Sequence, residues 1–251
     1  MPYFGYGYGY GYGNYGDFFA NHVYGLLLIP IFLFSLWAQM QVNCNFKRYS
    51  AVNNRRRLTG AQAAEAVLRS HGVYDVQIRM CRGNLTDHYN PQDNTIYLSE
   101  SVYHAPTIAA VGVACHEAGH AVQYAVQYGP IRLRSAIIPV TQFGSKFSFI
   151  LLLLGIVLYS DPLFLVGILL FSLTTVFQLV TLPVEFNASA RALETIEGQM
   201  LLDDEEIRGA RRVLRAAALT YVAALLMSAL QLLRYVLIFM GRSNRRGGNR
   251  E

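Results

Sequence analysis

The sequence predicts a mainly α membrane protein with about four transmembrane helices and a small α+β domain. Three observations carry that prediction. The chain of 251 residues is 53% hydrophobic, and its mean hydropathy of +0.26 is too high for an ordinary soluble domain. Long stretches nearly free of charge recur at 24–42, 147–159, 163–182 and 216–240. Between the first two lies a polar stretch in which helical and alternating patterns follow one another, as a modest folded domain requires. The net charge of +5, beside such apolar runs, reads as positive charge at one membrane face rather than as a nucleic-acid footprint. The three cysteines, Cys44, Cys81 and Cys115, are odd in number and lack C-x-x-C spacing, so no disulfide framework is expected.

Residues 1–23 form a Gly/Tyr-rich head, with alternating glycine and tyrosine over 5–13 and few aliphatic side chains. Such a composition builds no core and is expected to be disordered. It lacks the basic start of a secretory signal, and no A-x-A pattern follows the apolar run. Residues 24–42 are uncharged and long enough to span a bilayer, with Pro30 tolerated inside and Trp37 suited to an interface. Lys47, Arg48, Arg55, Arg56 and Arg57 follow, whereas the head has no Lys or Arg. The positive-inside rule then puts the N-terminus outside and the next segment in the cytoplasm.

That segment, 43–146, is expected to be the first part of the folded domain. Residues 58–69 read as a helix capped by Thr59, with Ala61, Ala64, Val67 and Leu68 on one face, and Gly72 ends it. Residues 76–80 alternate like a strand, 83–94 carry turn chemistry, and 95–98 alternate again as an edge strand would. An edge strand can hold an extended substrate by strand addition. Asp87 and His88 lie in this turn region, either supporting a site or satisfying turn backbone. His71 and His104 read as structural or exposed.

Residues 109–128 form an apolar helix containing Cys115-His116-Glu117-Ala118-Gly119-His120, the pattern H-E-x-x-H. Histidines four apart share a helix face and can hold one Zn²⁺. Glu117 is rotated roughly 100° from His116, where it can reach an activated water without binding the metal. Two histidines in a buried helix, bonded to backbone or water, are the competing reading. Ala118, Gly119 and Ala121 weigh against it, because small residues admit a second element bearing a third ligand. Cys115 points off the His116/His120 face and reads as a buried small side chain.

Gly129-Pro130 breaks this helix, and 147–159 and 163–182 form a transmembrane hairpin around Ser160-Asp161-Pro162. An even number of crossings returns 183–215 to the side of His116. Glu185 is the first acidic residue there, with Ala188, Ser189 and Ala192 permitting close packing on the H-E-x-x-H helix. It is the expected third ligand, leaving the fourth position open for water. The alternative for Glu185 is a charge at a helix N-terminus. Glu194, Glu197 and the acidic cluster 203–206 compete, although a charge run is usually a solvated face.

The segments HEAGHAVQ, LTDHYNPQDNTIYLSESVY and LPVEFNASARAL resemble the neutral zinc metallopeptidase family of bacterial membrane proteins. The resemblance runs from the first span to about Leu226. It implies a zinc-dependent, gluzincin-like peptidase in a bacterial plasma membrane. More distantly, the chain is similar to the heat-shock-type and prenyl-protein membrane proteases. Those pair H-E-x-x-H with a later E-x-x-x-D whose Glu is a metal ligand. That Glu corresponds to Glu185, but the Asp position holds Ser189, an uncharged second-layer partner for a histidine. Zinc proteases usually add a donor that steadies the oxyanion. With no histidine after His120, the candidates are Arg191, Tyr221 and the upstream His88.

Residues 205–215 form a charged amphipathic helix, and 216–240 a fourth span or an interfacial helix. A span puts Arg242, Arg245, Arg246 and Arg250 outside, against the positive-inside rule. The expected function is that of a multi-pass plasma-membrane endopeptidase holding one Zn²⁺ per chain, with Glu117 as general base and a cytoplasmic active site. Its partners are the bilayer and a peptide or membrane-protein substrate, with no nucleic acid. A zinc-binding membrane scaffold or regulator without activity is the main competitor. A transporter is the third reading, for which Gln178, Gln231 and Arg234 offer few intramembrane polar groups.

Overall fold

The computed structural model describes residues 15–247, with side chains from 24 to 242. The glycine-tyrosine repeat lies outside the described residues. The first helix, α1 (Tyr15–Ser50), starts before the expected span and includes part of the segment read as a disordered head. It keeps Pro30 inside and ends on Lys47 and Arg48.

The polar domain follows. Helix α2 (Gly60–Ser70) is capped by Thr59, whose hydroxyl accepts from the Gln62 backbone N–H while the Gln62 side chain returns to the Thr59 N–H. Gly72 leaves the helix at φ +70°, a conformation that costs glycine little. Strands β1 (Gln77–Cys81), β2 (His88–Asn90) and β3 (Thr95–Ser99) form one sheet in the order β1-β3-β2. β3 pairs parallel with β1 and antiparallel with β2. Residues 95–98 are therefore the centre of the sheet rather than its edge. The edge beside the site is β2, in the stretch expected to carry turn chemistry. A short helix α3 (Glu100–Tyr103) leads to α4 (Ile108–Ala125), capped by Thr107.

Three long helices complete the chain: α5 (Gly129–Val157), α6 (Asp161–Gly198) and α7 (Asp204–Gly247). With α1 they are the four helices of the described residues long and apolar enough to cross a membrane. The protein is a multi-pass membrane protein of mainly α structure with a small α+β part. Each of α5, α6 and α7 extends past the bilayer. At roughly 1.5 Å per residue they are longer than a hydrocarbon core of about 30 Å. α6 runs unbroken through Pro183, so Glu185 sits inside a helix rather than at the start of one. Its reading as an N-terminal charge is thereby overturned. α7 likewise joins the amphipathic and apolar segments that the sequence suggested were separate.

The polar domain packs on these extensions. Val67, Ile96, Val111, Ala114, Val122 and Ile196 are fully buried in one core drawn from α2, β3, α4 and α6. At the other end of the bundle, Gly155 of α5 meets Phe164 of α6 so closely that a Cβ on it would lie 2.6 Å from the Phe164 nitrogen. Arg242 of α7 reaches the same end, its Nη2 donating to the Gly155 carbonyl at 3.2 Å and its Nε lying 3.6 Å from Asp161. α7 thus runs from the polar domain to the hairpin turn and is a fourth span.

Candidate metal centre

The centre is built where α4 and α6 cross. A Cβ added to Gly119 would stand 2.7 Å from the Ala188 carbonyl oxygen. This contact has no room for a side chain, and it brings Glu185, one turn before Ala188, over the two histidines. The His116 and His120 rings stand edge to face with centroids 4.7 Å apart. Glu185 Oε2 lies 3.3 Å from His116 Nε2 and 3.5 Å from His120 Nε2. One donor atom from each of the three residues falls within 4.8 Å of the others.

These residues fit a zinc ion on their own geometry. Glu185 is 2% exposed, and its Oε2 has no hydrogen-bond partner among the described residues. A buried carboxylate oxygen left bare is costly unless a cation meets it. Zinc bonds of about 2.0–2.1 Å in tetrahedral geometry place ligand atoms about 3.3–3.4 Å apart. The observed separations from Oε2 to the two imidazoles are close to that edge length.

A further layer of partners orients the two imidazoles. Gln123 Oε1 lies 3.0 Å from His120 Nδ1, and Ser189 Oγ lies 3.1 Å from His116 Nδ1. Both bonds leave Nε2 facing Glu185. Gln123 is itself held, donating to the Val184 carbonyl at 2.8 Å and to Asn187 Oδ1 at 3.0 Å. Burial opposes a charged imidazole at His120, yet the carboxylates of Glu185 and Glu117 raise its pKa above the ordinary value. Neighbouring Cys115 is fully buried and burial pushes its thiol up, so it stays a neutral packing group.

Glu117 faces a cavity of about 280 Å³ lined by both histidines, Glu185, Arg134, Tyr124, Tyr221 and residues 87–89. Its Oε2 accepts the Tyr89 backbone N–H at 3.0 Å, which ties β2 to the site. His88 lines the cavity, with Nδ1 2.8 Å from the Thr86 carbonyl and its ring stacked on Tyr97. Asp87 accepts the Ser99 N–H at 2.7 Å and its hydroxyl at 3.1 Å. Burial raises the Asp87 pKa even against these bonds, and the nearby Glu117 adds to the effect.

The other expected donors separate. Tyr221 reaches the cavity, whereas Arg191 does not line it and instead donates through Nε to Asn187 Oδ1 at 2.9 Å. The competing acids are engaged elsewhere or exposed. Glu197 pairs with Arg211, Asp203 with Arg55, and Glu206 accepts the Arg55 N–H, while Glu194 points to solvent. Sequence reasoning passed over Gln123 and Arg134. Gln123 lies three residues after His120, a spacing at which helix side chains meet. Arg134 carried no such signal, because Arg132 and Arg134 stand in the same short stretch before an apolar run with nothing to separate them.

The family model described as "Putative neutral zinc metallopeptidase" matches residues 24–240. The chain is also 48% identical over 206 residues to the "Putative membrane protease YugP" of Bacillus subtilis (strain 168), covering 82% of this chain and 92% of that relative. No solved structure matches. The matched region takes in His116, Glu117, His120, Glu185 and all four apolar helices up to residue 240, and the chain belongs to the neutral zinc metallopeptidase family.

Proposed function

We propose that this chain is a membrane-embedded endopeptidase that holds one Zn²⁺ per molecule on His116, His120 and Glu185 and uses Glu117 as general base. The bare, buried Oε2 of Glu185, facing two oriented imidazoles next to Glu117, is the observation that carries the reading. When bound, zinc supplies Lewis acidity that acidifies water and polarises a carbonyl. The chain's residues do the rest. Gln123, accepting at Oε1, fixes the His120 tautomer, and Ser189 orients the His116 ring. Glu117 takes a proton from water as its oxygen bonds to the carbonyl carbon. It then delivers that proton to the amide nitrogen as the C–N bond breaks. β2 pairs with β3 on one side only and borders the cavity, so an extended peptide can add along its other edge once Glu117 releases the Tyr89 N–H.

Placement supports two further parts of the reading. The cavity includes Ile131, Arg134 and Ile138 of α5, a helix that continues into the membrane, which favours membrane-associated or unfolded segments as substrates. Basic residues cluster on the metal-centre side just after the first span, whereas residues 1–23 carry no Lys or Arg. This charge pattern favours a cytoplasmic site. Thiol labelling of Cys81 in intact cells, occurring only after permeabilisation, is the expected outcome; labelling without permeabilisation reverses the orientation.

Casein proteolysis by detergent-purified protein tests the activity. Glu117→Gln is expected to lower turnover by about 10²–10⁴-fold while zinc remains bound. Equal turnover in the two proteins overturns the proposed mechanism.

A further inference from the structure

Arg134 brings a positive charge into the cavity from α5, a helix that contributes no metal ligand. Its side chain is 27% exposed, so it is mostly withdrawn from water. The neighbouring Arg132 is exposed and needs no partner. Arg134 Nη1 stands 3.6 Å from Glu185 Oε1, too far for a hydrogen bond. Its buried Nε has no hydrogen-bond partner among the described residues. A guanidinium serving only to neutralise Glu185 would be expected to close on both carboxylate oxygens in the usual fork. Here the two oxygens are divided: Oε2 faces the imidazoles, and Oε1 faces the arginine at a distance.

Charge placement gives the same direction. The other carboxylate on the cavity, Asp87, is taken up by the Ser99 N–H and hydroxyl and makes no contact with Arg134 among the described residues. As the water proton passes to Glu117, negative charge leaves that carboxylate and develops on the carbonyl oxygen, where a fixed cation stabilises it.

The geometry points to Arg134 as a catalytic residue that donates to the substrate's carbonyl oxygen as this becomes the oxyanion of the tetrahedral intermediate. This rests on the peptidase reading. The step balances: the water oxygen bonds to the carbonyl carbon, the C=O π pair moves onto oxygen, and the water proton goes to Glu117. Arg134 keeps its own protons throughout. The oxyanion lends its charge to the arginine only while it exists, so the interaction is stronger in the transition state than with bound substrate.

The test compares two peptide inhibitors on zinc-loaded, detergent-solubilised protein by calorimetry. A dipeptidyl phosphonamidate presents an anionic tetrahedral centre, whereas a mercaptoacyl dipeptide with the same side chains binds the metal through sulfur and presents no oxyanion. In Arg134→Met, phosphonamidate affinity is expected to fall about 100-fold and thiol affinity to stay within about threefold, with zinc content unchanged. Arg134→Lys should recover part of the loss. Arg134→Gln stands in for the methionine variant if that fails to fold.

Parallel loss of both inhibitors, loss of zinc, or phosphonamidate binding within about threefold of wild type each overturns the assignment. Wild type that binds neither inhibitor, or that hydrolyses casein no faster than Glu117→Gln, overturns the peptidase reading itself.

Discussion

Gln123 Oε1 sits 3.0 Å from His120 Nδ1, and the same amide donates across to the Val184 carbonyl of α6 at 2.8 Å. One fully buried side chain thus orients His120 and joins the two helices that carry His116, His120 and Glu185. Gln123→Leu removes both functions and leaves the Val184 carbonyl without this donor. Zinc affinity is expected to fall about 10–100-fold. Competition with a fluorescent chelator measures it; unchanged affinity would show that His120 needs no support from Gln123.

Ser189 does the corresponding work for His116, through a single contact of 3.1 Å. Ser189→Ala should weaken zinc by about tenfold, at the lower end of effects from such partners. Ser189→Asp should bind zinc more tightly than Ser189→Ala, since a carboxylate raises the basicity of the ligand it accepts from. Equal affinities in these two variants would remove Ser189 from the account.

Gly119 sets the spacing of the centre. A methyl group there meets the Ala188 carbonyl oxygen at 2.7 Å, and backbone on a packed helix cannot swing aside. Gly119→Ala is expected to cost about 1–3 kcal/mol and to lower zinc occupancy, because the strain separates α6 from α4. Gly112→Ala on the same helix is the control. Its Cβ would lie 3.4 Å from the Ala210 Cβ, an ordinary contact, so thermal stability should hold or rise.

Asp87 carries a pH signature. Its pKa in the folded chain is raised above 3.8, chiefly by burial. The folded state therefore holds the proton more tightly than the unfolded chain. Stability from this group is present below the ordinary value and is lost as the pH rises through the folded one. Asp87→Asn keeps an acceptor for Ser99 without the charge. Its melting temperature should exceed that of wild type near pH 7, and the gap should shrink toward about pH 4. A gap that widens on acidification would contradict the sign.

The histidines and Glu117 were legible because their spacing on one helix contains the geometry. Glu185 was legible through a different route: counting crossings placed it on the correct side, and small residues around it predicted close packing. The boundary expected between 182 and 183 is absent, because α6 continues through Pro183. The sheet order was not legible. Alternation marks residues 95–98 as a strand, but whether a strand is central depends on distant partners, and β2 is only three residues long. Arg134 was hidden for a related reason. Nothing in IRLRS distinguishes the arginine turned into the cavity from the one left in solvent, because the direction is set by packing of α5 on α6.

The most direct test is the zinc content per chain of purified wild type and Glu185→Ala under metal-replete conditions. The account predicts one zinc in wild type and its loss in the variant, because two histidines alone leave too few ligands for tight binding. No zinc in wild type would contradict the central claim. Full retention in Glu185→Ala would remove Glu185 from the metal centre and transfer the third position to another acid.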